Sequence, residues 1–350
     1  MGHLREFDGS DRDYTRLTEV HNAVWPEWSE SVEGLKYSDE TREEKYFKQR
    51  FMWEEDGEIV AYATTGEYPG SYEPGKYFVF VVVHPDWQKR GIGTRLYDHV
   101  VGVLESRDPK PVKLVSDTRE DLSDAIRFLE SRGYKFVQRQ EVSRLDIETF
   151  DWGRFASKRG SSERAGLTVR TGDWLLEHDP DAKRKLYDLV WAILEDVPTP
   201  DPLTRRPFEE WVKGLSHPAF LGASWYVALD GDRYVGMSST WRDLSTDERL
   251  HQGLTGVLRP YRRKGIATDL KIRVIEFARD LGVRSILTDN EENNPMYDLN
   301  VQLGFEQMPG WVDYRKMVER PGDVSETGDR VAERPSVAAP GGQTVEVGGD

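Results

Sequence analysis

The sequence predicts an α/β protein made of two copies of one unit, each a central twisted, mostly antiparallel mixed sheet flanked by helices. Three observations carry this reading. The stretch Val83-His84-Pro85-Asp86-Trp87-Gln88-Lys89-Arg90-Gly91-Ile92-Gly93-Thr94-Arg95-Leu96 returns 174 positions later as Val257-Leu258-Arg259-Pro260-Tyr261-Arg262-Arg263-Lys264-Gly265-Ile266-Ala267-Thr268-Asp269-Leu270. A second pair, Phe128 to Tyr134 against Leu299 to Phe305, keeps step at a spacing of 171. Around both, β-branched and aromatic runs alternate with segments of helical apolar spacing. The 350 residues suit two domains of ordinary size. Their expected bounds are 1–155 and 167–318, with a linker over 156–166 and a disordered acidic tail over 319–350.

In chain order, Tyr14 to Trp25 has helical spacing, and Thr41 to Phe51 reads as a second, heavily charged helix. Ile59 to Thr65 and Tyr77 to Val83 have strand composition. Gly91 to Leu104 is amphipathic, with Leu96, Val100, Val103 and Leu104 on one side. Val112 to Ser116 is a short strand, Asp124 to Ser131 a helix and Tyr134 to Leu145 a closing strand. The stretch Ser157 to Gly166 is polar and glycine-containing, as linkers are. The second copy opens with a strand at Leu167 to Arg170 and a helix at Lys183 to Leu194. Trp225 to Leu229 and Tyr234 to Trp241 make a hairpin around Asp230-Gly231-Asp232. Gln252 to Leu258 and Ser285 to Asp289 are strands. Gly265 to Leu281 and Pro295 to Leu303 are helices, the latter with proline in its first turn.

Composition narrows the function. Hydrophobic residues make up 37% of the chain, with 11 Trp, 15 Tyr and 13 Phe, enough for two cores. The absence of cysteine removes disulfides, thiolate metal sites and cysteine nucleophiles. The seven histidines form no i, i+4 pair on a predicted helix, so no metal is expected. A net charge of −15 argues against a nucleic-acid partner held by a basic face. No apolar run is long enough to span a membrane, and the first residues carry no signal-peptide pattern. A cytoplasmic location and a small-molecule partner are expected, with the oligomeric state left open.

The repeated unit is a strand, a basic loop and Gly-x-small-Thr opening a helix. Small residues let backbone approach a ligand, and the first free N–H groups of the helix favour an anion. A pyrophosphate fits such a cradle. Neither a Walker A loop nor a G-x-G-x-x-G fingerprint is present. Gln88-Lys89-Arg90-Gly91-Ile92-Gly93-Thr94 and Arg262-Arg263-Lys264-Gly265-Ile266-Ala267-Thr268 resemble the Gln/Arg-x-x-Gly-x-Gly/Ala motif of GCN5-related N-acetyltransferases (GNAT). The resemblance covers both copies. It implies acetyl-CoA as acyl donor, its pyrophosphate on these two loops. Val81, Val82 and Val83, or Thr255, Gly256 and Val257, would run along the pantetheine arm. Asn290 and Asn294 would belong to the polar loop that contacts CoA, and the acyl group would sit where two strands splay apart.

The resemblance also implies roles that this sequence meets only in part. The family often places a tyrosine four residues before the glycine of Gly-Phe/Tyr as general acid, and here those positions hold Leu129 and Asn300. Water or Tyr297, the nearest tyrosine in sequence, could serve instead. The Asn-containing loop at 288–296 makes the C-terminal copy the expected catalytic one. Glu67 at a strand end is the candidate base, with Asp243 in the corresponding region of the other copy. The acceptor pocket would lie under loops carrying Glu27, Glu195 and Asp196, whose carboxylates and neighbouring aromatics suit a cationic amine. The expected activity is therefore acetyl transfer to a primary amine of a small molecule. The two missing tyrosines motivate the alternative, a CoA-binding scaffold without turnover.

Overall fold

A computed structural model describes residues 2–318 apart from 198 and 292; the expected tail at 319–350 lies outside the described residues. The first repeat runs β1 (His3–Glu6), α1 (Asp11–Val24), α2 (Val32–Glu40), β2 (Lys48–Glu55), β3 (Glu58–Gly66), β4 (Lys76–Val83), α3 (Ile92–Glu105), β5 (Lys113–Arg119), α4 (Ser123–Glu130) and β6 (Lys135–Asp146). Two one-turn helices follow, α5 (Trp152–Phe155) and α6 (Ser161–Arg164). The second repeat runs β7 (Thr168–Thr171), α7 (Gly172–His178), α8 (Ala182–Leu194), α9 (Phe208–Lys213), β8 (Tyr226–Asp230), β9 (Arg233–Arg242), β10 (Arg249–Val257), α10 (Ile266–Leu281), β11 (Ser285–Glu291), α11 (Pro295–Gln302) and β12 (Glu306–Met317).

The sequence predicts two sheets, and the structure fuses them. The twelve strands of the described residues lie in the order β1-β2-β3-β4-β5-β12-β6-β11-β10-β9-β8-β7. The closing strands of the repeats have changed places. β12 pairs with β5 from Trp311↔Arg119 to Met317↔Lys113, while β6 pairs with β11 from Ser285↔Asp146 to Glu291↔Gln140. β6 and β12 also pair with each other across the centre. Residues 1–318 accordingly form one compact unit, in which the two repeats are distinct in sequence but not in the sheet.

Helices cover both faces of the ladder. In α3, Ile92, Leu96, Val100 and Leu104 recur every fourth position and are buried with Phe51, Val79 and Leu114. In α10 the same spacing places Ile266, Leu270, Val274 and Ala278 inward. This helix is also covered on its outer side by the segment read as a linker. The Asp269 carboxylate accepts N–H bonds from Gly160 at 2.7 Å and Ser162 at 3.2 Å. Arg273 bridges Glu163 at 2.6 Å and Asp269 at 3.4 Å. The polar composition of 157–166 therefore serves an ordered contact rather than a free connection.

One expected helix is absent. Thr41 to Phe51 does not form a single charged helix: α2 ends at Glu40, and β2 takes Lys48 to Glu55. Pairing of β2 with β1 and β3 overrides the local charge pattern, because it buries Phe51, Met52 and Trp53. β12 also had no counterpart in the sequence reading.

The exchange gives a test. Leu145 lies on β6, in the first repeat, yet packs with Ile272, Ile275, Ile286 and Leu303 of the second. Leu145→Ala is expected to destabilise the whole chain by about 3 kcal/mol, with one cooperative denaturation transition retained by circular dichroism. Two resolved transitions would show the repeats to be independent.

Candidate functional site

The two signature loops have one backbone conformation. Gly91 and Gly265 cap α3 and α10 at φ +79° and +77°, a region that glycine enters without a Cβ clash. Two residues earlier, Lys89 and Arg263 are also left-handed, at φ 61° and 63°. The first helical bonds run from Arg95 N–H to the Gly91 carbonyl and from Asp269 N–H to the Gly265 carbonyl. The N–H groups of Ile92, Gly93 and Thr94, and of Ile266, Ala267 and Thr268, therefore precede the helical ladder, an arrangement that suits an anion. Gln88 and Arg262 brace the loops from behind. Gln88 Nε2 donates to the Val83 carbonyl at 3.0 Å, and Arg262 Nε to the Val257 carbonyl at 2.8 Å.

The surroundings of the two cradles differ. Lys89 pairs with Asp124 at 2.9 Å, Arg90 lies 4.5 Å over the Trp87 ring, and Thr94 accepts from Arg132 at 2.9 Å. In the second repeat Lys264 lies 5.4 Å over the Tyr261 ring, as Arg90 does over Trp87, and Lys89, Arg90, Arg263 and Lys264 are all exposed. A Cβ on Gly265 would come within 3.3 Å of Ser161, whereas one on Gly91 would meet open space. α6 thus closes one flank of the C-terminal cradle.

From each cradle a wedge runs into the sheet. β4 and β5 pair only at Lys76↔Lys113, Tyr77↔Leu114 and Phe78↔Val115. β10 and β11 pair only at Arg249↔Ser285, Leu250↔Ile286 and His251↔Leu287. Beyond these vertices the strands diverge, so Val81, Val82 and Val83, and Thr255, Gly256 and Val257, present one edge to a gap. The N-terminal gap extends about 16 Å from Phe78 to Val83 at the usual strand rise. β10 is bulged between Gln252 and Thr255 against β9, which redirects backbone groups at the vertex. β4 keeps unbroken register with β3.

One strand of each wedge, β5 or β11, borders a common basin. A cavity of about 520 Å³ lies over the middle of the sheet, walled by Trp28, Tyr68, Trp311 and the carboxylates Asp117, Asp289, Glu291 and Asp313 among others. Asp117 stands two residues beyond the Val115 vertex, and Asp289 two beyond Leu287, so the wedges carry a carboxylate at equivalent places. Asp313 faces Asp117 across the β5–β12 pair. Burial, and then repulsion from Asp313, push the Asp117 carboxyl up to about 7. Burial likewise raises Asp289 and Asp313. Asp201 also lines the cavity, but Lys76 at 3.2 Å and Arg315 at 2.8 Å hold it.

The chain matches the Acetyltransferase (GNAT) family twice, over residues 17–134 and 184–305. It belongs to that family. Among solved structures, a GCN5-related N-acetyltransferase from Sphaerobacter thermophilus is 21% identical with a TM-score of 0.66, covering 92% of this chain and 96% of that one. A tandem GNAT protein from the clavulanic acid biosynthesis pathway is 17% identical with a TM-score of 0.70, covering 92% and 100%. These likenesses are likenesses of fold. No curated protein sequence matches the chain.

Seen as a tandem GNAT protein, the chain distributes its predicted site residues unevenly. Asn290 and Asn300 meet: Asn300 Nδ2 donates to Asn290 Oδ1 at 2.7 Å. Asn300 is 1% exposed, and its Oδ1 has no partner among the described residues. Asn294 caps α11 through the Met296 N–H at 3.0 Å. Burial raises the Tyr297 phenol, and Glu141 adds to it. Glu67 is not brought to the basin. It is buried, and its carboxylate accepts the Phe47 N–H at 2.9 Å. Asp243 is likewise engaged, by Arg249 at 2.6 Å and His251 at 3.1 Å. Glu27 pairs with Arg119 at 3.1 Å, Asp196 with Arg259 and Arg262, and Glu195 is exposed. None of these three lines the cavity.

The carboxylates that do line it carried a signal in the sequence. Leu114-Val115-Ser116-Asp117 and Ile286-Leu287-Thr288-Asp289 are one strand pattern written twice, 172 positions apart. No group of histidine and carboxylate side chains suited to a metal occurs among the described residues, and no helix among them is long and apolar enough to cross a membrane.

Asp117 gives a pH prediction. Its folded pKa lies above its unfolded value, so the folded state binds more protons between about pH 4 and 7, and stability falls as pH rises through that window. Asp117→Asn is expected to remove this loss, leaving the variant about 1–2 kcal/mol more stable than wild type at pH 8 and no more stable at pH 4. Urea denaturation at the two pH values measures both terms.

Proposed function

We propose that this protein transfers an acetyl group from acetyl-CoA to a primary amine of a small cationic molecule, with turnover in the C-terminal repeat. The observation that carries this reading is a cradle and wedge, present twice, with β5 and β11 bordering a single basin of carboxylates and aromatic rings. The free N–H groups at Gly265 to Thr268 suit the pyrophosphate of CoA, and the open edge of β10 suits its amide-bearing arm. The acceptor would enter from the basin, its ammonium drawn by Asp289 and Glu291 and its apolar part by Trp28 and Trp311. A carboxylate near the vertex would take the ammonium proton. The neutral nitrogen would then attack the thioester carbon, and the C–S bond would break.

Three features support the C-terminal repeat: the bulge in β10, the Asn290–Asn300 pair and the unpartnered Asn300 Oδ1. The equivalent of Asn300 in the first repeat is Leu129, a buried core residue. The open N-terminal cradle favours a second role, a CoA site without turnover.

Isothermal titration of acetyl-CoA into the full chain tests the reading, with two sites per chain expected. No heat would overturn it. Gly265→Glu places a side chain at φ +77° and a negative charge in the cradle. It is expected to weaken one site at least tenfold, about 1.4 kcal/mol, and to abolish turnover in an amine screen. Gly91→Glu is expected to remove the other site and leave turnover in place. Wild-type turnover by Gly265→Glu would move catalysis to the first repeat.

A further inference from the structure

Lys271, in the middle of α10, is 2% exposed. Its Nζ donates to Gln252 Oε1 at 3.0 Å and lies 5.5 Å from the Phe305 ring centre. Burial alone pushes its pKa down to about 7. Lys76 is equally buried, but Asp201 answers its charge. Around Lys271 the charged groups of the neighbouring elements turn elsewhere. Asp269 and Arg273 of its own helix face α6, His251 of β10 faces Asp243 and the Trp28 ring, and Asp289 of β11 lines the basin. An ammonium buried without a counter-ion is costly, so Lys271 gives up its proton readily, and a negative charge arriving beside it would favour the protonated form.

The C-terminal vertex is where such a charge would arrive. Gln252 is the first residue of β10 past its last pair with β11, and the bulge begins there. Its Nε2 reaches Ser238 Oγ and Thr255 Oγ1, both at 3.3 Å, so the side chain is pinned with its oxygen toward Lys271. On α11, against β11, the buried Asn300 Oδ1 stands without a donor among the described residues. In the first repeat the equivalents of Lys271, Gln252 and Asn300 are Tyr97, Val79 and Leu129, which lie in its core cluster; the one polar atom of these three side chains, the Tyr97 hydroxyl, is buried without a partner among the described residues.

We infer that the ε-ammonium of Lys271 supplies the proton taken by the thiolate of CoA as it leaves the C-terminal vertex. The amine nitrogen bonds to the carbonyl carbon, the C–S bond breaks, and sulfur takes a proton from Nζ. The proton shed by the amine returns to Lys271 through water, so the products are an amide and CoA thiol with no net change at the lysine. Nucleophile and proton donor then come from opposite faces of the sheet, the amine from the basin and the ammonium from the α10 side. This replaces the phenol that Leu129 and Asn300 cannot provide. It rests on acetyl-CoA occupying the C-terminal wedge.

Ionisation of bound CoA is a direct probe. CoA is titrated with pH in the presence of excess full-length protein, and the thiolate is followed by its ultraviolet absorbance. With wild type, part of the bound CoA is expected to ionise at least one pH unit below free CoA, a tenfold stabilisation of thiolate. Lys271→Met, an apolar chain of similar length, is expected to keep its calorimetric CoA sites and melting temperature but lose that shift. With an amine found in the screen, kcat should fall on the order of 100-fold and the acetyl-CoA KM should change little. The wild-type kcat should also decline above about pH 7 relative to Lys271→Met. Lys271→Arg keeps the charge but gives up no proton, so it should restore the thiolate shift and not kcat. CoA that binds with an unshifted thiol, or a Lys271→Met enzyme with wild-type kcat, overturns the role of Lys271 alone. Absence of CoA binding overturns the acetyltransferase reading beneath it.

Discussion

The exchange of β6 and β12 at the centre of the sheet is the constraint on which the rest of this structure depends. Hydrogen bonding across β5-β12-β6-β11 is made by strands from both repeats at every step, and neither repeat can complete its own sheet. The same exchange sets the wedges on either side of two shared strands. Trp311 and Asp313 of β12 and Gln138 and Gln140 of β6 form the floor between them. The basin is therefore a product of the fusion, and a single repeat would not contain it.

Duplication has kept the cradles alike and let the interiors diverge. Left-handed residues recur at equivalent loop positions, and Gln88 and Arg262 make the same bond to the strand behind them. Behind the vertex the first repeat holds the phenols of Tyr97 and Tyr134 among apolar side chains, whereas the second holds Lys271, Gln252 and Asn300. In front of it both repeats place a carboxylate. Asp117 faces Asp313 in the first repeat, and Asp289 faces Val142 in the second. On the basin face both repeats thus keep a carboxyl whose pKa burial raises, Asp117 and Asp289.

The legible part of the sequence was what backbone conformation dictates. A positive φ needs glycine, and a helix opening on a cradle needs small residues, so the two loops could be read residue by residue. The central strands were also legible, because Val, Ile, Tyr and Phe in short runs have few alternatives. The strand exchange left no such mark, since ladder bonds are made by backbone groups common to all residues. β2 was hidden by the charges of Arg42 to Lys45 that precede it. The basin escaped because its carboxylates come from β5, β11 and β12, distant in sequence, while the acidic loops that looked suitable had found arginine partners at Arg119, Arg259 and Arg262. The ordered segment at 157–166 was concealed by a composition that serves capping and ion pairs as well as it serves flexibility.

The position of β12 also bears on how the chain comes into being. Its partner β5 ends at Arg119, but β12 begins at Glu306, so nearly two hundred residues must be synthesised before the edge of β5 is covered. During that interval the first repeat presents an open strand edge, the kind of surface that recruits other chains. β6 meanwhile awaits β11. The nascent protein is committed to late closure, and a strand of the second repeat finishes the sheet of the first.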